Sequence, residues 1–382
     1  MDNASLNSLN VGDFQCDGGA GCRNNQKTYN EEFYMQKKII ALAIASALTA
    51  PALAFAEATV YGQANLAVEM MDNGGAPSAK TNQLNSYGSR LGVKGSEALD
   101  GGMSVVWMLE GDVGVDTGAT TAGQLFNRES NIGLKSDSMG TVTLGRHDTP
   151  YKSATRRLDM FGDSAADTRN SLGITMMGGG HDVAASNSIT YLSPSMSGLS
   201  VAVGSVFGAE KAASTDKKGS AISLAGMYEE GPIYATLAFD KAKAGTVSSG
   251  DLGTPAYGTV AADDEAKAFK LGGSYSMDAI AVNAVYEKVT TTLSAVETKG
   301  TNLYLAGKFA LSSTDAVKLA YTKRGETETG SLKNANDAKV VALGYDHSMS
   351  KATSVYALYA KVTQQGTRPD PSTLSVGIKH SF

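Results

Sequence analysis

Sixteen short segments of this chain alternate apolar and polar residues with a period of two, and that repetition restricts the possible folds more than any other feature. In "TVYGQANLAVEM" (59–70), Val60, Ala64, Leu66 and Val68 fall on one face and Tyr61, Gln63, Asn65 and Glu69 on the other. "SRLGVKGS" (89–96) opposes Leu91 and Val93 to Arg90 and Lys94. The terminal "TLSVGIKHSF" opposes Leu374, Val376, Ile378 and His380 to Thr373, Ser375, Gly377 and Lys379, and stops on Phe382. A period of two is that of a strand with one apolar face.

The links between these segments add direction. "EALDGG", "SDSMG", "PSMSG", "EEG", "MD", "SSTD" and "SMSKA" are short, and each alternates with a longer link that follows an odd-numbered segment. An antiparallel up-and-down meander gives this rhythm when its two ends face different surroundings, whereas a soluble sandwich does not normally send every long loop to one end. Segments of about 9 to 12 residues suit a tilted crossing of a hydrocarbon core. A membrane offers no water to unpaired backbone groups, so such a sheet must close on itself, last strand against first. We expect an all-β, transmembrane, antiparallel up-and-down barrel of sixteen strands. The abundance of glycine (43 residues) and small polar residues then fits a wet lumen.

Residues 35–56, "MQKKIIALAIASALTAPALAFA", have a basic start at Lys37 and Lys38, an apolar stretch from Ile39 to Leu48 and an A-x-A ending. That is the pattern of a secretory signal peptide cleaved before Glu57. Residues 1–34 precede it as a polar leader, read as non-native or extended, with Met35 as the start. Both cysteines, Cys16 and Cys22, lie in the leader, so the mature chain (57–382) has neither disulfide nor thiol chemistry. Cleavage removes four basic and five acidic residues, taking the formal charge from −5 to −4. With a pI near 5.5, this gives no basis for binding nucleic acid.

One link is far longer than the rest. Residues 149–187 set Arg156, Arg157 and Arg169 among Asp159, Asp163 and Asp167, around Leu158, Met160 and Phe161. Ordered loops of this length are usually functional, and a sixteen-strand lumen is wide unless something narrows it. We expect this third loop to fold into the lumen with its acids facing wall cations. Arg90 and Lys94 lie on the inward parity of the second strand. Of the cations, Arg90, Lys94, Arg156, Arg157 and Arg169 outnumber Asp159, Asp163 and Asp167, a weak lean toward anions.

"VYGQANLAVE", "SRLGVKGSE", "LGRHDTP", "FGDSAADTRNS", "SNSITYLSPSMSGLSVAV" and the terminal "VGIKHSF" follow one another across the whole mature chain. As a set they resemble the general diffusion porins of Gram-negative bacteria, of the trimeric sixteen-strand type. The resemblance implies a homotrimer in the outer membrane, in contact with its lipid and lipopolysaccharide. It implies passage of ions and small hydrophilic solutes, with no cofactor and no metal. Arg128 and Arg146 match wall arginines, and Phe382 the C-terminal assembly residue. Strict alternation places Arg146 with Val142 and Leu144, and Arg128 with Ile132 and Leu134, so an inward aim for either requires a bulge or a strand that has already ended.

Three other readings bear on function. A barrel hydrolase needs a positioned nucleophile and base; four histidines are present (His147, His181, His347, His380), and His147 sits beside Asp148 with no serine motif pointing at it. A non-conducting structural barrel needs a plug or a second domain, and the strands use nearly the whole mature chain. A sugar-specific pore needs an aromatic ladder, for which Tyr61 and Tyr234 are the inward candidates. N-terminal sequencing of the exported protein is expected to begin at Glu57; a start within 1–34 would overturn the signal-peptide assignment.

Overall fold

A computed structural model of the chain describes residues 57–75, 77–120, 124–178, 180–207, 219–244 and 264–382. The expected leader (1–34) and signal peptide (35–56) lie outside the described residues. Sixteen main strands are present among the described residues: β1 (Glu57–Asp72), β2 (Lys80–Ser86 and Arg90–Leu99), β3 (Met103–Asp112), β4 (Glu129–Ser136), β5 (Gly140–Asp148), β6 (Ala184–Leu192), β7 (Leu199–Phe207) and β8 (Ser220–Glu230). They continue as β9 (Ile233–Lys243), β10 (Glu265–Met277), β11 (Ile280–Leu293), β12 (Val296–Ala310), β13 (Asp315–Arg324), β14 (Ala338–Ser348), β15 (Thr353–Gln364) and β16 (Ser372–Ser381). Each pairs antiparallel with its sequence neighbour. β16 returns to β1 in a register from Gln63↔Ser381 to Asp72↔Ser372, which closes the barrel.

Alternation sorts the side chains as the sequence predicts. Val68, Leu91, Leu144, Leu237, Leu343 and Val376 are all more than a third exposed, and the residues between them are buried or line the interior. No helix among the described residues is long and apolar enough to cross a membrane; the strands make the crossing. A hydrocarbon solvent accounts for this inverted distribution, because the exposed leucines and valines meet lipid tails while the backbone ladder leaves no open edge.

Two expectations about the strands need correction. The second strand does not begin at Ser89. It begins at Lys80 and pauses over residues 87–89, where Gly88 takes a positive φ of 57°. The long link expected after the eleventh strand is absent. The threonine-rich "VTTTL" and "VETKGT" continue the ladder to Leu293↔Val296, and only Ser294 and Ala295 make the turn. Both have positive φ, 47° and 66°, the backbone of a tight two-residue hairpin. β-branched residues favour extended backbone there, and each added pair satisfies two more amides, so the chain prolongs the strands instead of forming a loop. A smaller hairpin, Thr327–Thr329 against Leu332–Asn334, stands between β13 and β14.

Leu343 lies midway along β14 on the exposed face and is 51% exposed. Leu343→Arg is expected to cost roughly 2–4 kcal/mol of folding free energy in bilayers, as for cations at the midplane. Ala342→Ser, on the opposite parity, should cost less. Urea unfolding from vesicles measures both, and equal losses would refute the assigned faces.

Candidate functional site

The segment after β5 opens with a short helix of seven residues, α1 (Pro150–Arg156). Thr149 caps it by accepting a hydrogen bond from the Lys152 amide, and proline occupies the first turn, where it has no amide to lose. Tyr151 is fully buried and donates its phenol proton to Glu287 Oε1 at 2.6 Å. Tyr234 donates to the Ala154 carbonyl at 2.6 Å. Farther along, Asn283 donates to the Leu158 carbonyl, Lys318 Nζ to the Met160 carbonyl and Asn65 to the Asp163 carbonyl. Tyr304 accepts from the Met160 amide at 2.9 Å. These partners come from β1, β9, β11, β12 and β13, all at positions opposite in parity to the exposed apolar face.

Packing follows the same contacts. Leu158, Phe161, Ala165, Ala166 and Met177 form one buried cluster with Tyr234, Val285, Tyr304, Ala342 and Ala360 of the strands. Tyr151 and Ala154 form another with Ala202, Ala225, Ala238 and Ala268. Small wall residues leave the room: a methyl group on Gly344 would sit 2.9 Å from Phe161, and one on Gly272 2.6 Å from Leu158. The C-terminal stem of the segment is tied to the wall by buried polar groups. Lys270 Nζ lies 2.5 Å from Asp182 Oδ1 and 3.7 Å from Glu287, and His181 Nδ1 lies 2.6 Å from Asp240 Oδ2.

At the centre Arg156 holds three carboxylates. Its Nη1 is 3.4 Å from Asp159 and 3.1 Å from Asp167, and its Nη2 is 2.7 Å from Asp163. Gly162 makes this possible, since a Cβ there would meet Arg156 Nη1 at 2.8 Å. Arg169 adds a second clamp on Asp167 at 2.9 Å. From the wall, Arg90 Nη1 reaches Asp163 at 3.2 Å, through the pause in β2, where a side chain on Gly88 would collide with Asp163. Burial raises the Asp159 carboxyl to about 6, and the Asp167 charge beside it adds to the effect. Burial also opposes ionisation of Asp163, but Arg156 and Arg90 outweigh it and hold that carboxyl below its usual range.

The remaining candidates divide. Arg128 stands one residue before β4 begins and pairs with Glu110 at 2.6 Å and Asp112 at 2.9 Å. Arg90 is 3.7 Å from the same Glu110, so this carboxylate links the two arginines. Arg146 lies at an irregularity of the β5–β6 ladder between Gly145 and His147, and donates to the Asn127 carbonyl and to Ser186 Oγ. Arg157 turns away from the carboxylate cluster. It forms a two-bond pair with Glu229, 2.6 Å each, and stacks over the Tyr234 ring. Lys94 lies over the Tyr61 ring at 4.7 Å. Phe382 joins the ladder itself, exchanging backbone hydrogen bonds with Gly62.

A cavity of about 480 Å³ beside residues 159–164 is lined by Lys308, Lys318 and Lys379, with Asp346 and Tyr356 among its other walls. The three lysines escaped selection from sequence, although each sits on the polar parity of its strand. Glu110 was equally legible in "MSVVWMLEGD". Lys318 pairs with Asp346 at 2.8 Å, while Lys308 and Lys379 form no ion pair among the described residues.

Neither aromatic candidate for sugar stacking has a free ring. Tyr61 donates to Glu110 beneath Lys94, and Tyr234 is covered by Arg157. His147 meets Ser188 Oγ at 3.1 Å, but both residues are buried and the Nδ1 side faces the Asp148 backbone carbonyl. No carboxylate completes a relay there. Among the described residues no cluster of three or more His, Cys, Asp or Glu is suited to a metal ion.

Comparison with known proteins agrees with this architecture. The chain is 28% identical over 352 residues to outer membrane porin protein 32 of Delftia acidovorans, covering 90% of this chain and 93% of the relative. It is 28% identical over 406 aligned positions to the major outer membrane protein P.IA of Neisseria meningitidis, covering 91% and 100%. Among solved structures, the anion-selective porin from Comamonas acidovorans superposes with a TM-score of 0.71 at 23% identity, covering 86% of this chain and all of that one. An OmpT of Vibrio cholerae in its trimer form gives 0.63 at 16%, covering 86% and 99%. The family description of Gram-negative porins matches residues 41–367. This chain therefore belongs to the Gram-negative porins, β-barrels of the outer membrane that form water-filled channels for passive diffusion.

Proposed function

We propose that residues 149–187 lie across the lumen as its constriction and that the open passage beside them favours small anions. The observation that carries this reading is the uneven pairing of charge. Asp159, Asp163 and Asp167 are each engaged by an arginine of the same segment, whereas Lys308 and Lys379 face the cavity with no ion pair among the described residues. Unpaired cations in a narrow, partly desolvated passage raise the local anion concentration, and paired acids repel anions little. The anion-selective porin of Comamonas acidovorans is one of the barrels this chain resembles.

The rest of the assignment is passive. The buried Tyr151, Lys270, Asp182 and Glu287 group holds the stem of the segment and carries no chemistry. His147 meets Ser188 with no carboxylate aligned behind it, and membership of the porins supports reading the protein as a channel. A homotrimer is the assembly that this reading adopts, given the trimeric form among the related barrels.

Mature protein refolded into a planar bilayer under a salt gradient tests this directly. Conductance steps in groups of three and a reversal potential of anion sign are expected. Lys308→Glu with Lys379→Glu should move that potential toward cations without abolishing conductance. An unchanged potential would place the open path elsewhere, and a correctly folded barrel that does not conduct would make the segment a plug.

Acidity gives a second test. Asp159, with its carboxyl raised to about 6, is ionised at neutral pH and protonates as pH falls through that value. One negative charge is then lost beside the lumen. Anion preference should rise between pH 7.5 and 5 in the wild type and stay level in Asp159→Asn. The same rise in both would detach the titration from Asp159.

A further inference from the structure

Ser-Met occurs four times in the chain, as Ser138-Met139, Ser195-Met196, Ser276-Met277 and Ser348-Met349, and each copy falls at a short link of the barrel. Met139, Met196 and Met349 stand in the turns themselves and are exposed to 61%, 61% and 62%. The backbone beneath each is fixed. The Met139 amide donates to Ser136 Oγ, Met196 exchanges backbone hydrogen bonds with Leu199, and the Met349 amide donates to the Thr353 carbonyl. An unbranched, polarizable thioether is thus held out from three turns that otherwise consist mainly of small and polar residues.

The other methionines are placed differently. Met176 and Met177, in the segment after β5, are 1% and 4% exposed. Met176 packs with Val340 and Val362, and Met177 joins the cluster of Leu158 and Phe161. Met70 and Met103 are exposed, but they stand within β1 and β3 on the lipid-facing parity. Met277 shares that parity at the end of β10, and its sulfur accepts a hydrogen bond from the Tyr275 phenol. Residues 57–382 contain no cysteine, so thioethers are the most readily oxidised sulfur of the mature chain.

We propose that Met139, Met196 and Met349 form an oxidant-accepting rim, where hypohalous acids arriving at the short-turn mouth are reduced before they reach the methionines of the lumen. The sulfur attacks the chlorine of hypochlorous acid, the Cl–O bond breaks and hydroxide leaves. Water then attacks the sulfur, chloride departs and two protons are released, one of which neutralises the hydroxide. Sulfur is oxidised by two electrons to the sulfoxide, and chlorine is reduced to chloride. At the turns the new oxygen projects into water and disturbs no contact. On Met176 it would enter an apolar cluster that holds the segment to the wall.

The test uses the mature chain refolded into vesicles of saturated phosphatidylcholine, treated with hypochlorous acid at fewer equivalents than the chain has methionines. Peptide mass spectrometry places each added oxygen, and single-channel recording follows the same sample. Met139, Met196 and Met349 should carry at least about tenfold more sulfoxide than Met176 and Met177, with Met277 between them. Conductance should match that of the untreated protein. In a variant carrying Met139→Leu, Met196→Leu and Met349→Leu, the same dose should raise sulfoxide at Met176 and Met177 several-fold and lower the conductance. If that variant refolds poorly, Met139→Leu with Met349→Leu carries the same comparison.

Sulfoxide spread evenly over turns and segment would overturn the proposal, as would a conducting triple variant whose segment is oxidised no more than that of the wild type. Loss of wild-type conductance in step with oxidation of the turns would also overturn it, since the turns would then be a point of damage to the pore.

Discussion

The ladder between β1 and β16 is the contact on which the other features depend. A hydrocarbon surrounding leaves an unpaired amide several kcal/mol out of pocket, so ten register pairs from Gln63↔Ser381 to Asp72↔Ser372 decide whether the sheet can exist in a membrane at all. The terminal residue extends this seam. Phe382 accepts from the Gly62 amide and donates to the Gly62 carbonyl, and its ring occupies the space a Gly62 side chain would need. Once the seam is closed, the apolar parity of every strand must face outward, and the charged residues of the opposite parity are gathered in one interior.

That interior is organised by compensation of charge. Arg156 engages three carboxylates drawn from nine residues of chain, and Arg169 and Arg90 add their charge to two of them, which lets an acidic stretch be buried against the wall. Removing one partner from such a group strands the others in a poor dielectric, so each member depends on the rest. Wall glycines and alanines complete the arrangement. They take up little space, and Leu158, Phe161 and Tyr151 fill what they leave.

Strand number, direction and facing were legible because they rest on a local rule, the period of two. The positions of Arg90 and of Lys308, Lys318 and Lys379 follow from that rule as well, although only Arg90 was singled out by it. What the pattern hid depends on departures from regularity. Arg146 lies at a break in pairing beside Gly145, Arg128 stands before its strand begins, and Asp163 approaches the wall only through the pause at Gly88. The partners of Arg157 and Arg156 were hidden for another reason. Sequence spacing does not reveal that Glu229, 72 residues away, takes Arg157 out of the carboxylate group while Arg156 becomes its centre.

The unequal lengths of the strands have a consequence for how the mouth is approached. β11 and β12 run for 14 and 15 residues, whereas β4 to β7 run for 8 or 9. At about 3.3 Å per residue the two flanks differ in contour by nearly a factor of two. The β11–β12 hairpin therefore carries the paired wall farther than the strands β4 to β7 do. A solute passing along the β11–β12 flank is accompanied by a longer run of paired strand than one passing along β4 to β7.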